Sequence, residues 1–382
     1  MTGVGKGLPE RLHSRLHATE RGQVVVGYEG DPHVPNLSDN GRRIGAMGAA
    51  SAGGAAPSAG SRGETALVTG ASGFLGGYVV RDLRAHGYDV IASGRNAAAL
   101  PAGATFVGDL DALARADLGR TVDVVVHCAA LSSPWGRWSE FEHANVTGTA
   151  RVLEFARRVG SRRLVHISSP GIYAAPRDRV GIREHEVDPR HPMNFYIRSK
   201  LEAEALLQGA AAEGVQPEIV MLRPRGIIGR GDPSLVPRIL RVHERFGIPL
   251  VHGGHGLVDL TAVENVALAV RLAVEAPGVH GQAFNITNGD PRPFGAVLEQ
   301  LLAGLGIEPR YRRVPATVAY GVAALLEAVC GVLPGHPEPP VTRYTVTTIA
   351  QSQTLDISRA RDLLGYRPAV TLDQSLAGYA GG

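Results

Sequence analysis

One stretch constrains this chain more than any other: Thr65-Ala-Leu-Val-Thr-Gly-Ala-Ser-Gly-Phe-Leu-Gly76. A short apolar run closes on Gly70, Gly73 and Gly76, spaced three apart, and an amphipathic run over residues 74–86 follows. Glycine admits backbone conformations closed to other residues and lets two segments approach with no side chain between them. A strand that turns sharply and re-enters as a helix presents free N–H groups and the positive end of the helix dipole to one point. A phosphate fits there, as in a dinucleotide-binding turn. The seat takes in Gly70, Ser72, Gly73, Phe74, Leu75 and Gly76. The same glycines also suit an ordinary turn, so the parts downstream have to decide.

Those parts come in a regular order. Short apolar runs at 66–68, 90–92, 105–107, 122–130, 164–168, 219–222 and 284–286 alternate with helical patterns at 74–86, 140–159, 195–213 and 262–276. Strands that are apolar on both faces and separated by helices predict a parallel sheet covered on both sides. The fold expected is α/β, a Rossmann-type doubly wound sheet with a smaller C-terminal substrate-binding lobe. That domain spans 64–380, with its nucleotide-binding core mainly in 64–222 and the lobe mainly in 223–261 and 287–350. Residues 1–63 read as a flexible leader: beyond Val24-Val-Val26 they dissolve into small residues that cannot offset the entropy of ordering, and Met47 is an alternative start.

Composition narrows the function. With 382 residues, 44% of them hydrophobic, the chain can bury one large core. Its net charge of +3 comes from dispersed Arg and Asp/Glu with no basic block, so nucleic acid is not an expected partner. Cys128 and Cys330 lie far apart without metal-ligand spacing and read as free thiols in a reducing cytoplasm. No apolar signal segment stands in residues 1–23. The apolar stretch 314–333 is interrupted by Glu327 and by glycines, and reads as a helix that docks on the body, a membrane surface or a pathway partner. A homodimer is expected.

About 20 residues past the glycines, a dinucleotide site places the residue that contacts the adenosine ribose. Here that place holds Ser93-Gly94-Arg95 and no acid. A carboxylate would accept from the ribose hydroxyls of NAD, whereas a guanidinium suits the extra phosphate of NADP. Arg95 therefore points to NADP(H) over NAD, unless it is a solvated turn residue. Asp109 and Leu110, after the third strand, suit an adenine contact, and Asp109 equally suits a helix N-cap. Ala129 and Ala130, at the end of the fourth strand, leave room for a dinucleotide over the sheet edge.

The chemistry is carried by Tyr196-Ile-Arg-Ser-Lys200 together with Ser168-Ser169. Residues four apart on a helix share a face, so the Tyr196 phenol and the Lys200 ammonium stand one turn apart. A nearby ammonium stabilises phenolate and is expected to lower the phenol's pKa from its usual value near 10. Ser169 is placed to donate a hydrogen bond to a carbonyl oxygen. The three suit proton transfer coupled to hydride transfer.

In this order, Thr69-Gly-Ala-Ser-Gly-Phe-Leu-Gly76, Gly108-Asp-Leu110, His127-Cys-Ala-Ala130, Asn145-Val-Thr-Gly-Thr149, Ser168-Ser-Pro-Gly-Ile-Tyr173, Tyr196 to Lys200 and Arg223-Pro-Arg-Gly-Ile-Ile-Gly229 resemble an extended short-chain dehydrogenase/reductase. The resemblance covers nearly the whole chain after the leader. It implies Ser169, not Ser168, as the active-site hydroxyl, Tyr196 as proton donor and Lys200 as its partner and a nicotinamide-ribose ligand. It also implies that Asn145 supports Lys200 through water and that Pro224 lies beside the nicotinamide. Leu131-Ser-Ser-Pro-Trp-Gly136, Val258-Asp259, Asn285-Ile-Thr-Asn-Gly289 and Pro340-Val-Thr-Arg343 resemble the branch of 3β-hydroxysteroid and decarboxylating sterol dehydrogenases, and within it the 2-alkyl-3-oxoalkanoate reductases of bacterial long-chain olefin synthesis. What that implies is NADPH-dependent reduction of a lipid-like 3-oxo acid. A sterol dehydrogenase, a nucleotide-sugar epimerase and an NADP-sensing module without turnover are the other readings.

Substrate residues are expected from the C-terminal half. Arg225, just past the sixth strand, either clamps a substrate carboxylate or forms an ion pair with Asp232 or Asp259. Trp135, Trp138 and the apolar stretch 318–333 either line a channel for a long acyl chain or are core.

Overall fold

The computed structural model describes residues 63–101 and 104–379. The chain divides into two compact units, Met1–Ser58 and Ala59–Gly382, and the described residues all belong to the second. The leader expected over 1–63 lies outside the described residues but for Gly63.

Seven parallel strands make the central sheet: β1 (Thr65–Thr69), β2 (Asp89–Ser93), β3 (Thr105–Phe106), β4 (Val124–His127), β5 (Arg163–Ile167), β6 (Glu218–Pro224) and β7 (Gln282–Ile286). Their order across the sheet is β7-β6-β5-β4-β1-β2-β3. The chain winds outward from β1 in both directions, so the reversal falls between β1 and β4, where an open α/β sheet has its ligand crevice.

Successive strand residues point to opposite faces, and both faces are buried. On one, Ala66, Val68, Val126, Val165 and Leu222 pack against helix α1 (Phe74–Ala85) and a later helix over Val263–Glu275. On the other, Leu67, Val125, Leu164 and Met221 pack against α2 (Leu110–Arg115), α3 (Gly148–Arg158) and α4 (Phe195–Ala212). This two-sided burial is why the strands read as unbroken apolar runs. Beyond β6 the chain builds small satellite sheets and cores of its own, such as Ile228, Val258, Leu260, Val297 and Leu301. Two further helices of this part, α5 (Ala316–Val332) and α6 (Arg343–Ala350), pack together through Ala323, Val346 and Ala350.

Two elements depart from the pattern read in the sequence. The run over 122–130 is strand only to His127, because the backbone after it turns over the sheet edge. The helix expected over 140–159 runs without a break from Trp138 to Arg158 but is not uniformly α: an α-helical turn at Trp138–Phe141 leads into a π-helical turn at Glu142–Thr147, which continues as α3.

Candidate active site

The glycines of the first turn have three different causes. Gly70 sits at φ +67°, in the left-handed region, and a Cβ there would meet the Ala129 backbone at 2.8 Å. Gly76 packs α1 onto the turn: a Cβ there would lie 2.1 Å from the Gly70 carbonyl oxygen. Gly73 is the N-cap of α1 in an extended conformation, exposed, and no side chain caps the helix start. The first-turn amides therefore face open space with the dipole behind them, a cradle that fits a pyrophosphate. Ser72 closes one side against the end of β2, where a Cβ on Gly94 would lie 2.6 Å from its hydroxyl. Arg95 follows, exposed and without a hydrogen-bond or ion-pair partner among the described residues.

Asp109 caps α2, its Oδ1 accepting from the Asp111 and Ala112 amides at 3.1 and 2.9 Å. That oxygen is committed to the helix start, so the cap accounts for half of this carboxylate. Leu110 follows as the first residue of α2, half-buried, its methyl against Gly148.

Tyr196, Lys200 and Glu204 stand at four-residue spacing on α4, which Asn194 caps through the Ile197 amide at 2.8 Å. Glu204 is buried against Arg223 of β6, with contacts of 2.9 and 2.5 Å, and this pair seats the helix on the sheet. The Lys200 ammonium is 2% exposed and donates to the Ile167 carbonyl at 2.9 Å. Burial lowers its pKa from 10.5 to about 8, against the pull of Glu204. Ser169 follows β5; its oxygen accepts from the Gly171 amide at 3.1 Å, which leaves its proton to donate. The hydroxyls of Ser169 and Ser132 flank the Tyr196 phenol.

The phenol does not behave as expected from spacing alone. Burial raises its pKa above 10, and the groups that oppose this are Ser169 and Ser132, not Lys200. The ammonium is tied to the β5 carbonyl instead. A neutral, half-buried phenol is a proton donor at neutral pH.

Asn145 makes its direct contacts away from Lys200: its Oδ1 accepts from the Leu131 amide at 2.7 Å, and its Nδ2 donates to the Leu131 carbonyl and to Ser199 Oγ at 3.1 and 2.8 Å. It clamps the loop after β4, which carries Ser132, to the helix that carries Tyr196. A second polar chain runs beside it. The Ala129 amide donates to Thr69 Oγ1 at 3.2 Å, Thr69 faces His127 Nδ1 at 2.7 Å, His127 Nε2 faces Thr149 Oγ1 at 3.2 Å, and Thr149 reaches the Asn145 carbonyl at 2.6 Å. That carbonyl can only accept, so Thr149 donates to it, His127 donates through Nε2, and Thr69 donates to Nδ1. The ring is neutral; burial, with Lys200 nearby, pulls its pKa down to about 3.

Ala130 and the β4 loop lead to Trp135, whose Nε1 donates to the His336 carbonyl at 3.2 Å and whose ring touches Gly331 at the end of α5. Trp135 is a strut between the loop and the C-terminal part. Trp138 instead packs beneath the Arg198 guanidinium, 3.8 Å from the ring centre, and beside Phe195. Val318, Val322, Leu325, Val329 and Val332 of α5 are exposed, so they line no channel. No helix among the described residues is long and apolar enough to cross a membrane. Cys128 is inert, its thiol pushed up to about 12 by burial.

Pro224 ends β6, paired in register with Ile286. Arg225 follows it, 6% exposed, and donates to Gln353 Oε1 at 2.5 Å. No acid forms an ion pair with it among the described residues, and its Nε has no partner. Asp232 caps the next helix through the Ser234, Leu235 and Val236 amides, and Asp259 accepts from the Leu355 amide at 2.7 Å. Arg225 thus has no acid in contact, but the buried Asp259 holds its charge from a distance and is held in turn. Three residues not foreseen complete the site: Ser132, Gln353 and Tyr344. Ser132 lay inside a stretch read for its resemblance alone; Tyr344 and Gln353 had no local signal.

The profile of the NAD dependent epimerase/dehydratase family matches residues 66–287. The chain belongs to that family. Among its relatives are the uncharacterized Escherichia coli protein YbjS, 35% identical over 322 residues (81% of this chain, 95% of the relative), and the 2-alkyl-3-oxoalkanoate reductase of Stenotrophomonas maltophilia, 34% identical over 322 residues (81% and 96%). The mouse decarboxylating sterol-4-alpha-carboxylate 3-dehydrogenase is 31% identical over 328 residues (83% and 90%). Solved structures of similar fold include gox2253 (TM-score 0.68, 23% identity, 83% of this chain and 96% of that one) and MoeE5 with UDP-glucose and NAD (TM-score 0.65, 25% identity, 83% and 97%). This family member is an extended short-chain dehydrogenase/reductase and an NAD(P)-dependent oxidoreductase. The turn from Gly70 to Gly76 fits the dinucleotide's pyrophosphate, and Ala129 and Ala130 border it.

Proposed function

We propose that the protein reduces the ketone of a 2-alkyl-3-oxoalkanoic acid to the secondary alcohol, using NADPH. The observation that carries the substrate is Arg225, a buried guanidinium whose Nε has no hydrogen-bond partner and which no acid among the described residues contacts, although the buried Asp259 acts on its charge from a distance. A buried cation whose hydrogen bonds are incompletely met costs free energy that a carboxylate ligand relieves. The names of two relatives support this: a 2-alkyl-3-oxoalkanoate and a sterol 4-carboxylate reacting at C3 both carry the carboxylate on the carbon next to the reacting one. The sterol acid is the second reading on the same ground.

When bound, the nicotinamide supplies the hydride. Ser169, whose oxygen is already engaged by the Gly171 amide, donates to the substrate carbonyl oxygen. Tyr196, neutral at physiological pH because desolvation raises its pKa further above that range, passes its proton to that oxygen as charge develops there. Lys200, one helical turn on, carries the charge opposite to the phenolate left behind. Asn145 holds the two elements that bear Ser132 and Tyr196 in register. Exposed Arg95 at the end of β2, in a place where an acid would select NAD, supports NADPH.

The test follows NADPH oxidation with 2-alkyl-3-oxo acids, 3-keto steroids and UDP-sugars. Turnover confined to the oxo acids is the expected outcome. Turnover of UDP-sugars alone would overturn the assignment.

A further inference from the structure

Resting on that reading of the substrate, we propose that Tyr344 is a substrate-binding residue that holds the carboxylate together with Arg225, so that α6 makes the site select 3-oxo acids over neutral ketones.

Gly171 lies in the turn after Ser169. A Cβ built there would lie 3.2 Å from Ser169 Oγ and 3.2 Å from Tyr344 Oη. The two hydroxyls converge on one small space, and only a hydrogen at position 171 leaves it open. Tyr344 packs with Tyr196 around Ile172, Tyr173, Ile197 and Leu355. Its hydroxyl has no hydrogen-bond partner among the described residues. A half-buried phenol whose hydroxyl opens to solvent beside an apolar cluster and close to the active-site serine is a donor available to a ligand.

The same oxygen lies within electrostatic reach of both Tyr196 and Arg225. It is thus near both the proton donor and the guanidinium. In a 3-oxo acid one carbon separates the ketone from the carboxylate. A substrate whose ketone oxygen meets Ser169 and Tyr196 brings its carboxylate toward Tyr344 and Arg225, a neutral donor and a cation converging on one anion. Arg225 is held from behind by Gln353.

Tyr344 is firmly placed for this. Thr342 caps α6 through the Thr345 amide at 3.1 Å, and the Arg343 amide and Nε both donate to Glu327 of α5 at 2.6 Å. The phenol is thereby fixed to the C-terminal part, not to the sheet.

The experiment compares a 2-alkyl-3-hydroxy acid with its methyl ester, oxidised by the full-length protein and by Tyr344→Phe. The wild type should favour the acid, and Y344F should lose about tenfold or more in kcat/KM for the acid while the ester changes within about twofold. Inhibition by a 2-alkyl carboxylate without the 3-hydroxyl should weaken by a similar factor. A wild type that favours the acid while Y344F keeps that preference and inhibition overturns the role of Tyr344 and leaves the substrate reading standing. A wild type that oxidises neither compound, or both equally, overturns the substrate reading and this inference with it. If Y344F does not fold, Tyr344→Trp serves in its place, its indole unable to reproduce the hydroxyl's position, with the same expected and overturning results.

Discussion

Lys200→Met should make the protein more stable and nearly inactive at once. The ammonium is buried on α4 with one hydrogen bond, to the Ile167 carbonyl, and its pKa falls from 10.5 to about 8. At roughly 1.4 kcal/mol per pH unit, holding that charge costs the folded state about 3 kcal/mol at pH 7. Methionine keeps the stem's volume and removes the charge; the orphaned carbonyl returns about 1 kcal/mol of the gain. A net of about 2 kcal/mol raises the melting temperature by a few degrees. The pH dependence fixes the cause. Because the folded pKa is depressed, the penalty is fully present below pH 8 and vanishes as pH rises from about 8 through 10.5, where the unfolded chain binds the extra proton. The gap between K200M and wild type should therefore close over that interval. Calorimetry of both proteins without nucleotide, from pH 6 to 10, measures it. A variant less stable than wild type at pH 7, or a gap that does not narrow with rising pH, would refute the reasoning.

Tyr196→Phe removes the proton donor and should cut turnover by about 100- to 10,000-fold while NADPH affinity, measured by fluorescence titration, stays within a few-fold; substantial residual turnover would count against the mechanism. Arg95→Asp should shift the ratio of kcat/KM values toward NADH, and an unchanged ratio would show that the guanidinium meets only solvent. Gly76→Ala places a methyl 2.1 Å from the Gly70 carbonyl oxygen, so α1 must move; a loss of about 1–3 kcal/mol in thermal unfolding and weaker dinucleotide binding are expected.

The sheet was legible because its strands are buried on both faces, which leaves continuous apolar runs in the sequence; the ends of β1, β2, β5 and β6 fall within two residues of those runs. The site was legible where one element carries the chemistry, as for Tyr196 and Lys200 one turn apart. It was not legible where a side chain has two possible partners. Asp109 could serve a ligand or its own helix, and its Oδ1 is taken by the helix. Asn145 bonds the β4 loop directly, a contact to a residue fourteen positions earlier that no local pattern announces. Arg225 could contact an acid, but the side chain it contacts is Gln353 of a distant strand, and Asp259 acts on it only from a distance. Tyr344 lay beyond sequence reasoning because its importance comes from Gly171, far earlier in the chain.

The π-helical turn at Glu142–Thr147 has a genetic reading. Such a turn amounts to one residue more than an α-helix would need over the same rise. Removing a single codon within it would let the helix rewind as α with the faces on either side still aligned, so the displacement would fall on the residues of the turn itself. Asn145 would then swing off Leu131, and Thr149 would lose the Asn145 carbonyl. A helix that survives in outline would carry a dismantled site.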